Sequence, residues 1–227
     1  MKGYAENKAY GTVEPIKGTN PRQLYEHQKQ AMENLSIMDT EEKYSTLVVL
    51  PTGGGKTYTA STWLLKHAID RNKKILWLAH RHTLLEQAAE SFQKYAYATT
   101  IPHTSSFTYR IVSGAVAHDR AVDIKAKDNI LIASKDSIGR NLPALNSWLK
   151  WEDELYLVID EAHHSTAKTY RRVIEYLQKK VKHLKLIGLT ATPFRTGEEG
   201  AGQLGNLYLN GMPEHRGIAY KIDLKEL

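Results

Sequence analysis

The segment Pro51-Thr52-Gly53-Gly54-Gly55-Lys56-Thr57 follows the apolar run Leu47-Val48-Val49-Leu50, and Asp160-Glu161 close a second apolar run far downstream. A triphosphate can approach backbone N–H groups only where no β-carbon intervenes, which Gly53, Gly54 and Gly55 provide. A helix opening at Lys56 would add partial positive charge facing the anion. With Thr52 completing the cradle, Lys56 reaches the β- and γ-phosphates and Thr57 offers its hydroxyl to Mg²⁺. Asp160 holds the same ion from the end of the second strand. Glu161 is then placed to orient or deprotonate an attacking water. Leu50 stands where the strict phosphate-loop pattern has glycine. Two plainer readings remain open: the glycines as an ordinary turn, and Asp-Glu as a helix cap with first-turn charge. Both segments in this order point to Mg-nucleotide chemistry.

Such residues need a rigid frame. Apolar runs predict strands at Leu47 to Leu50, Ile75 to Ala79, Tyr109 to Val112, Ile130 to Ala133, Leu155 to Ile159 and Leu186 to Leu189. Amphipathic spacing predicts helices at Lys56 to Asp70, His82 to Tyr97, Lys168 to Lys180 and a short one near Pro143 to Lys150. A further helix is expected from Asn20-Pro21, with Leu24, Gln28, Ala31, Met32 and Leu35 on one side. Uniformly apolar strands between amphipathic helices imply an α/β fold with a mostly parallel sheet covered on both faces. Ligands of such sheets sit at the carboxyl ends of the strands, where the Lys56 loop and Asp160 both fall. Residues 1–20 read as an extended or partly ordered lead-in, and residues 21–227 as the nucleotide-binding domain. The glycine-rich stretch from Gly197 is expected to be a mobile loop, followed by an edge strand at Ile218-Ala219-Tyr220-Lys221-Ile222.

The chain has 227 residues, 41% hydrophobic and 25% charged, which suits one large soluble domain better than two. No run is apolar enough to span a bilayer and the N-terminus lacks an apolar signal core, so a cytoplasmic protein without a membrane partner is expected. The absence of cysteine excludes disulfides and thiolate metal sites. A formal charge of +6 suits an anionic polymer such as nucleic acid, or simply a solvated lysine-rich surface.

The motif order resembles the first RecA-like domain of superfamily 2 helicases and translocases of the DEAH type, from about Arg22 to Leu227. Within that group it is most similar to the DNA motors of type I and type III restriction enzymes and of excision repair. Arg22-Gln23-Leu24-Tyr25-Glu26-His27-Gln28 resembles the adenine-recognition element, which implies that Gln28 reads the base and Arg22 or Tyr25 flanks it. Leu78-Ala79-His80-Arg81-His82 resembles a nucleic-acid-gripping motif, implying backbone contacts from His80 and Arg81. Ile132-Ala133-Ser134-Lys135 resembles another, implying contacts from Ser134 and Lys135, although Ser134 could equally cap the following turn.

Val158-Ile159-Asp160-Glu161-Ala162-His163 carries the DEAH signature, and Leu189-Thr190-Ala191-Thr192-Pro193-Phe194-Arg195 resembles the motif whose threonines, Thr190 and Thr192, link the carboxylate and His163 to the strand. The form of both motifs points away from DEAD-box RNA remodellers and toward DNA. His163 and His164 could together bind zinc, but adjacent positions lack the helical spacing that puts two ligands on one face. A hydrogen-bonding relay suits His163 better.

The resemblance implies ATP and Mg²⁺ as cofactors. Its members carry a second RecA-like domain that closes over the nucleotide, for which this sequence shows no counterpart after Thr192, so the chain reads as half a motor. A nucleotide-dependent binding switch without a motor stroke is the alternative. A small-molecule kinase leaves the Thr-Ala-Thr-Pro segment unexplained.

Overall fold

Alternate residues along the central strands face opposite sides of one sheet, and both sides are buried. A computed structural model describes residues 9–164, 168–192, 207–208 and 218–221. The strands are β1 (Tyr10–Val13), β2 (Tyr44–Val49), β3 (Lys74–Ala79), β4 (Phe107–Val112), β5 (Ile130–Ser134), β6 (Glu154–Asp160), β7 (His183–Thr190) and β8 (Ile218–Lys221). The helices are α1 (Glu26–Met38), α2 (Lys56–His67), α3 (His82–Lys94), α4 (Lys135–Arg140), α5 (Asn146–Leu149) and α6 (Lys168–Lys180).

The strands lie in the order β1-β4-β5-β3-β6-β7-β2-β8, all parallel except β1, which pairs antiparallel with β4. Ile75 and Trp77 of β3 face a core shared with Leu35 of α1, Leu64 of α2 and Phe92 of α3. Leu76 and Leu78 face a second core with Ile138 of α4, Trp148 of α5 and Val173 of α6. Period-two alternation within uniformly apolar strands therefore seats three helices on each face.

The expected mostly parallel sheet is present, with several boundaries moved. α1 begins at Glu26 rather than at Pro21, because Tyr25 is extended (φ −68°, ψ 156°) and its N–H is taken by the Gln28 side chain at 3.1 Å. α2 ends at His67, and Ile69–Arg71 continues as a 3₁₀ turn that stops at Asn72 in the left-handed region. α3 ends at Lys94. β1 lies within the expected lead-in, and α4 was not anticipated. The expected edge strand is β8, beside β2. Pro193, Phe194, Arg195 and the glycine-rich stretch from Gly197 lie outside the described residues, apart from Leu207 and Tyr208.

Candidate functional site

The loop after β2 is built for close approach to a ligand. Gly53 and Gly55 adopt φ of 85° and 79°, a region that side-chain-bearing residues rarely occupy. A β-carbon on Gly55 would also run into Nε2 of Gln28. α2 opens directly at Lys56, and Thr57 is partly exposed in its first turn. Beneath the loop, the Leu50 N–H donates to the Thr190 carbonyl at 3.1 Å, tying the cradle to the end of β7.

Two strands away stands Asp160, a separation of about 10 Å at the usual strand spacing. Asp160 is 3% exposed at the end of β6. Burial lifts its pKa to about 6, against the Glu161 N–H donated to Oδ1 and the positive charge of Lys56. Glu161 itself sits at φ 55°. Such a conformation costs a non-glycine residue about 1–3 kcal/mol and recurs at functional sites. It turns the chain out of β6 into the 3₁₀ turn Ala162–His164 and aims the Glu161 N–H back at Asp160.

His163 joins these carboxylates to β7. Its Nδ1 lies 3.1 Å from Thr190 Oγ1 and 3.3 Å from Glu161 Oε2. The Thr190 hydroxyl donates to the Thr192 carbonyl at 3.2 Å and accepts from the Thr192 N–H at 3.2 Å. With the hydroxyl proton used, Nδ1 must carry the imidazole proton and donate it. His163 thus bridges Glu161 and Thr190, and Thr190 fixes Thr192. The rings of His163 and His164 are 4.1 Å apart and diverge, His164 meeting His80 at 4.6 Å. Among the described residues no group of three His, Cys, Asp or Glu side chains is arranged to hold a metal.

The proposed nucleic-acid residues occupy the next strand ends, and the structure separates them by environment. Arg81 caps α3 in extended conformation with its side chain exposed. His80 instead turns inward, with a buried Nδ1 that has no hydrogen-bond partner among the described residues. Burial, then the charges of His164 and Arg81, lower its pKa. Ser134 caps α4: its Oγ accepts from the Ser137 N–H at 3.2 Å and donates to Ser137 Oγ at 2.9 Å. Lys135 is partly exposed and pairs with Asp136 at 3.0 Å.

On the other flank, Gln28 is 1% exposed and its amide grips the phosphate loop. Nε2 donates to the Gly54 carbonyl at 3.2 Å while Oε1 accepts from Tyr25. The same carbonyl takes a second hydrogen bond of 3.0 Å from His27 Nε2, a residue whose part was not legible from its type or position. Arg22 lies over the Tyr58 ring at 4.0 Å and donates to Tyr95 Oη at 2.8 Å. Tyr25 remains 65% exposed, its ring parallel to that of His27 at the loop's edge.

At the opposite end of the sheet, the C-terminal ends of α1 and α2 meet at Asp39. Its carboxylate accepts from Lys185 Nζ at 2.8 Å, Tyr156 Oη at 2.8 Å and Tyr44 Oη at 3.1 Å, with His67 Nδ1 3.6 Å away. Both helices thus run from the phosphate loop to one buried carboxylate.

The chain is similar to one described family and to proteins described as DNA helicases. The family described as "Type III restriction enzyme, res subunit" matches residues 22–195. The DEAD-box ATP-dependent DNA helicase Fancm of Drosophila melanogaster is 26% identical over 172 residues, covering 74% of this chain and 11% of that protein. The ATP-dependent DNA helicase MPH1 of Saccharomyces cerevisiae (strain S288c) is 28% identical over 155 residues, covering 66% of this chain and 14% of its own length. The chain therefore spans a small part of those relatives. The Pyrococcus furiosus Hef helicase domain shares the fold, with a TM-score of 0.54 at 23% identity over 77% of this chain and 35% of that one. No described helix is long and apolar enough to cross a membrane.

Proposed function

The chain belongs to the type III restriction enzyme res subunit family, and on that premise we propose that it is the ATP-binding lobe of an ATP-driven DNA helicase or translocase. The backbone of Gly53 to Gly55 cradles the phosphates, with Thr52 at the rim and Lys56 on the β- and γ-groups. Arg22 and Tyr25 border the base, while Gln28, which the sequence suggested as its reader, is buried and holds the phosphate loop through Gly54 and Tyr25.

Thr57 and Asp160 would hold Mg²⁺, and a buried carboxylate whose pKa is raised to about 6 is suited to a divalent cation that replaces its lost hydration. When bound, the ion would supply charge that screens the phosphates. Glu161 orients and deprotonates the attacking water. His163 transmits the state of Glu161 to Thr190 and Thr192.

One observation carries this reading. The ends of β6, β7 and β2 are neighbours, and His163 and the Leu50–Thr190 hydrogen bond tie them into one unit. A loop that only stored nucleotide would need no such link.

Beyond β6 along the same edge, Arg81 at the end of β3 and Lys135 at the end of β5 meet the phosphates of a strand, with His80 packed behind Arg81 and Ser134 setting the turn that presents Lys135. Contacts to phosphate alone permit movement along any sequence. DNA is the favoured track because the relatives are described as DNA helicases.

The motor is completed by a second RecA-like lobe supplying an arginine finger, worth roughly 10³ to 10⁵ in turnover. Steady-state ATP hydrolysis by this chain, alone and with single-stranded DNA, duplex DNA and RNA, tests the proposal against a Lys56→Ala blank. Slow turnover that disappears in Lys56→Ala is expected. Turnover unchanged in Lys56→Ala contradicts the site, and robust duplex unwinding by this chain alone contradicts the half-motor reading.

A further inference from the structure

The turn between β4 and β5 is braced more firmly than a surface connection requires. His118 is 7% exposed and engaged at both nitrogens, Nδ1 at 2.7 Å from Ser113 Oγ and Nε2 at 3.3 Å from Glu86 Oε1 of α3. The Glu86 carboxylate can only accept, which puts a His118 proton on Nε2, and Ser113 Oγ beside Nδ1 also accepts from the Ala115 N–H at 3.0 Å. One residue further, Asp119 pairs with the buried Arg110, whose Nε also donates to Asp128 at 2.7 Å. The Asp119 main chain closes the turn onto β4, donating to Ile111 and accepting from Ser113.

This bracing holds an apolar tip in water. Val116 is fully exposed and Val122 is 79% exposed. Six large apolar side chains are exposed among the described residues, and these two stand on the rim of one cavity of about 440 Å³. Ser137 and Asn141 also line it, and the exposed Arg120 adds positive charge. Asn141 donates Nδ2 to the Ser137 carbonyl at 2.8 Å, which leaves its Oδ1 as an acceptor. Among the described residues no carboxylate lines the cavity. In the strand order it sits at the end of β4, followed by Lys135 at β5 and Arg81 at β3, about 5 Å per step.

We propose that this cavity receives one unstacked base of a single strand, with Arg120 on one flanking phosphate and Lys135 and Arg81 on the phosphates beyond. The valines cover the base face, and the Ser137 hydroxyl and Asn141 Oδ1 meet its edge. A rigid, pre-formed receptor binds without an ordering cost, which gives the bracing a purpose. A stacked duplex cannot fill the cavity without extruding a base, so the site favours single strands. The inference rests on the reading of Arg81 and Lys135 as strand contacts.

Fluorescence anisotropy of this chain with a labelled oligothymidine of roughly 12 nucleotides, and with an abasic strand of equal length, tests it. The wild type should bind the base-bearing strand about tenfold more tightly, the scale of one base contact. Val116→Ser/Val122→Ser should remove that advantage and leave the abasic strand unaffected, and both positions are exposed enough to keep the fold, as a thermal melt will verify. Arg81→Ala should weaken both strands alike. Equal wild-type affinity for the two strands, or equal loss on both in the double serine variant, overturns base capture while an Arg81 effect leaves the strand contacts standing. Failure to bind either strand, or no effect of Arg81→Ala on either, removes the strand reading as well.

Discussion

Replacing Asp39 with asparagine strands a buried ammonium, and the cost follows from its surroundings. Asp39 and Lys185 have side chains 5% and 4% exposed and lie 2.8 Å apart. Removing one partner of a buried ion pair costs about 3–5 kcal/mol. Glu154 remains 3.5 Å from the same ammonium, and the asparagine oxygen can still accept from Tyr156, which places Asp39→Asn at the low end, about 3 kcal/mol. For a domain of this size each kcal/mol moves Tm by about 2–4 °C, so melting should fall by about 6–12 °C.

Lys185→Met in the asparagine background removes the stranded charge, and the double variant should be no less stable than Asp39→Asn alone. Burial pushes the Asp39 pKa up, but hydrogen bonds from His67, Lys185 and Tyr156 and the Lys185 charge outweigh it and hold the value below 3.8. A carboxyl that binds protons more readily unfolded than folded stabilises the fold above its unfolded pKa. The wild-type advantage is therefore complete at neutral pH and fades as pH falls below about 3.8 through the lower folded value. Thermal melts by circular dichroism across that range read it. A cost under about 1 kcal/mol, or strict additivity with Lys185→Met, would refute the reasoning.

The remaining predictions concern the opposite end of the sheet. Gly55→Ala must hold alanine at φ 79° with its methyl against Gln28, and should lower ATP affinity at least about tenfold and stability by about 1–2 kcal/mol. An unchanged titration would show that the loop does not need this shape. Glu161→Gln should bind ATP normally and hydrolyse it about 10²–10⁴-fold more slowly in single-turnover assays, and normal turnover would dismiss Glu161 as the base. His163→Ala and Thr190→Val break the same hydrogen bond, so the double variant should hydrolyse ATP no more slowly than the worse single one. Multiplying defects would mean that the two side chains act apart.

Much of this site is legible from residue type because its chemistry is local. Three glycines before Lys-Thr, and Asp-Glu after an apolar strand, mark the carboxyl edge whatever the order of the strands. Strand order is different: nothing in Leu47 to Leu50 says that β7 separates it from β6, because that depends on long-range packing. β1 escapes notice since Tyr10-Gly11-Thr12-Val13 is short, partly exposed and interrupted by glycine. α1 starts late because a side chain, Gln28, takes the Tyr25 N–H that regular spacing would have placed inside the helix. Arg110 looks out of place in an apolar strand until Asp119 and Asp128, 9 and 18 positions further on, close around it from the following loop. Asp39 reads as a polar helix end, and its burial against Lys185 depends on contacts 146 positions apart. Ser134 shows the limit from the other side, since one residue type suits both a helix cap and a phosphate contact, and only geometry reveals the cap.

The most direct test of the central claim is calorimetric titration of ATP into the wild type, Lys56→Ala and Asp160→Asn, each with and without Mg²⁺. The account predicts binding that Mg²⁺ strengthens in the wild type, that Lys56→Ala abolishes, and that loses its Mg²⁺ dependence in Asp160→Asn. Binding that ignores Lys56, or Mg²⁺ dependence that survives Asp160→Asn, would contradict it.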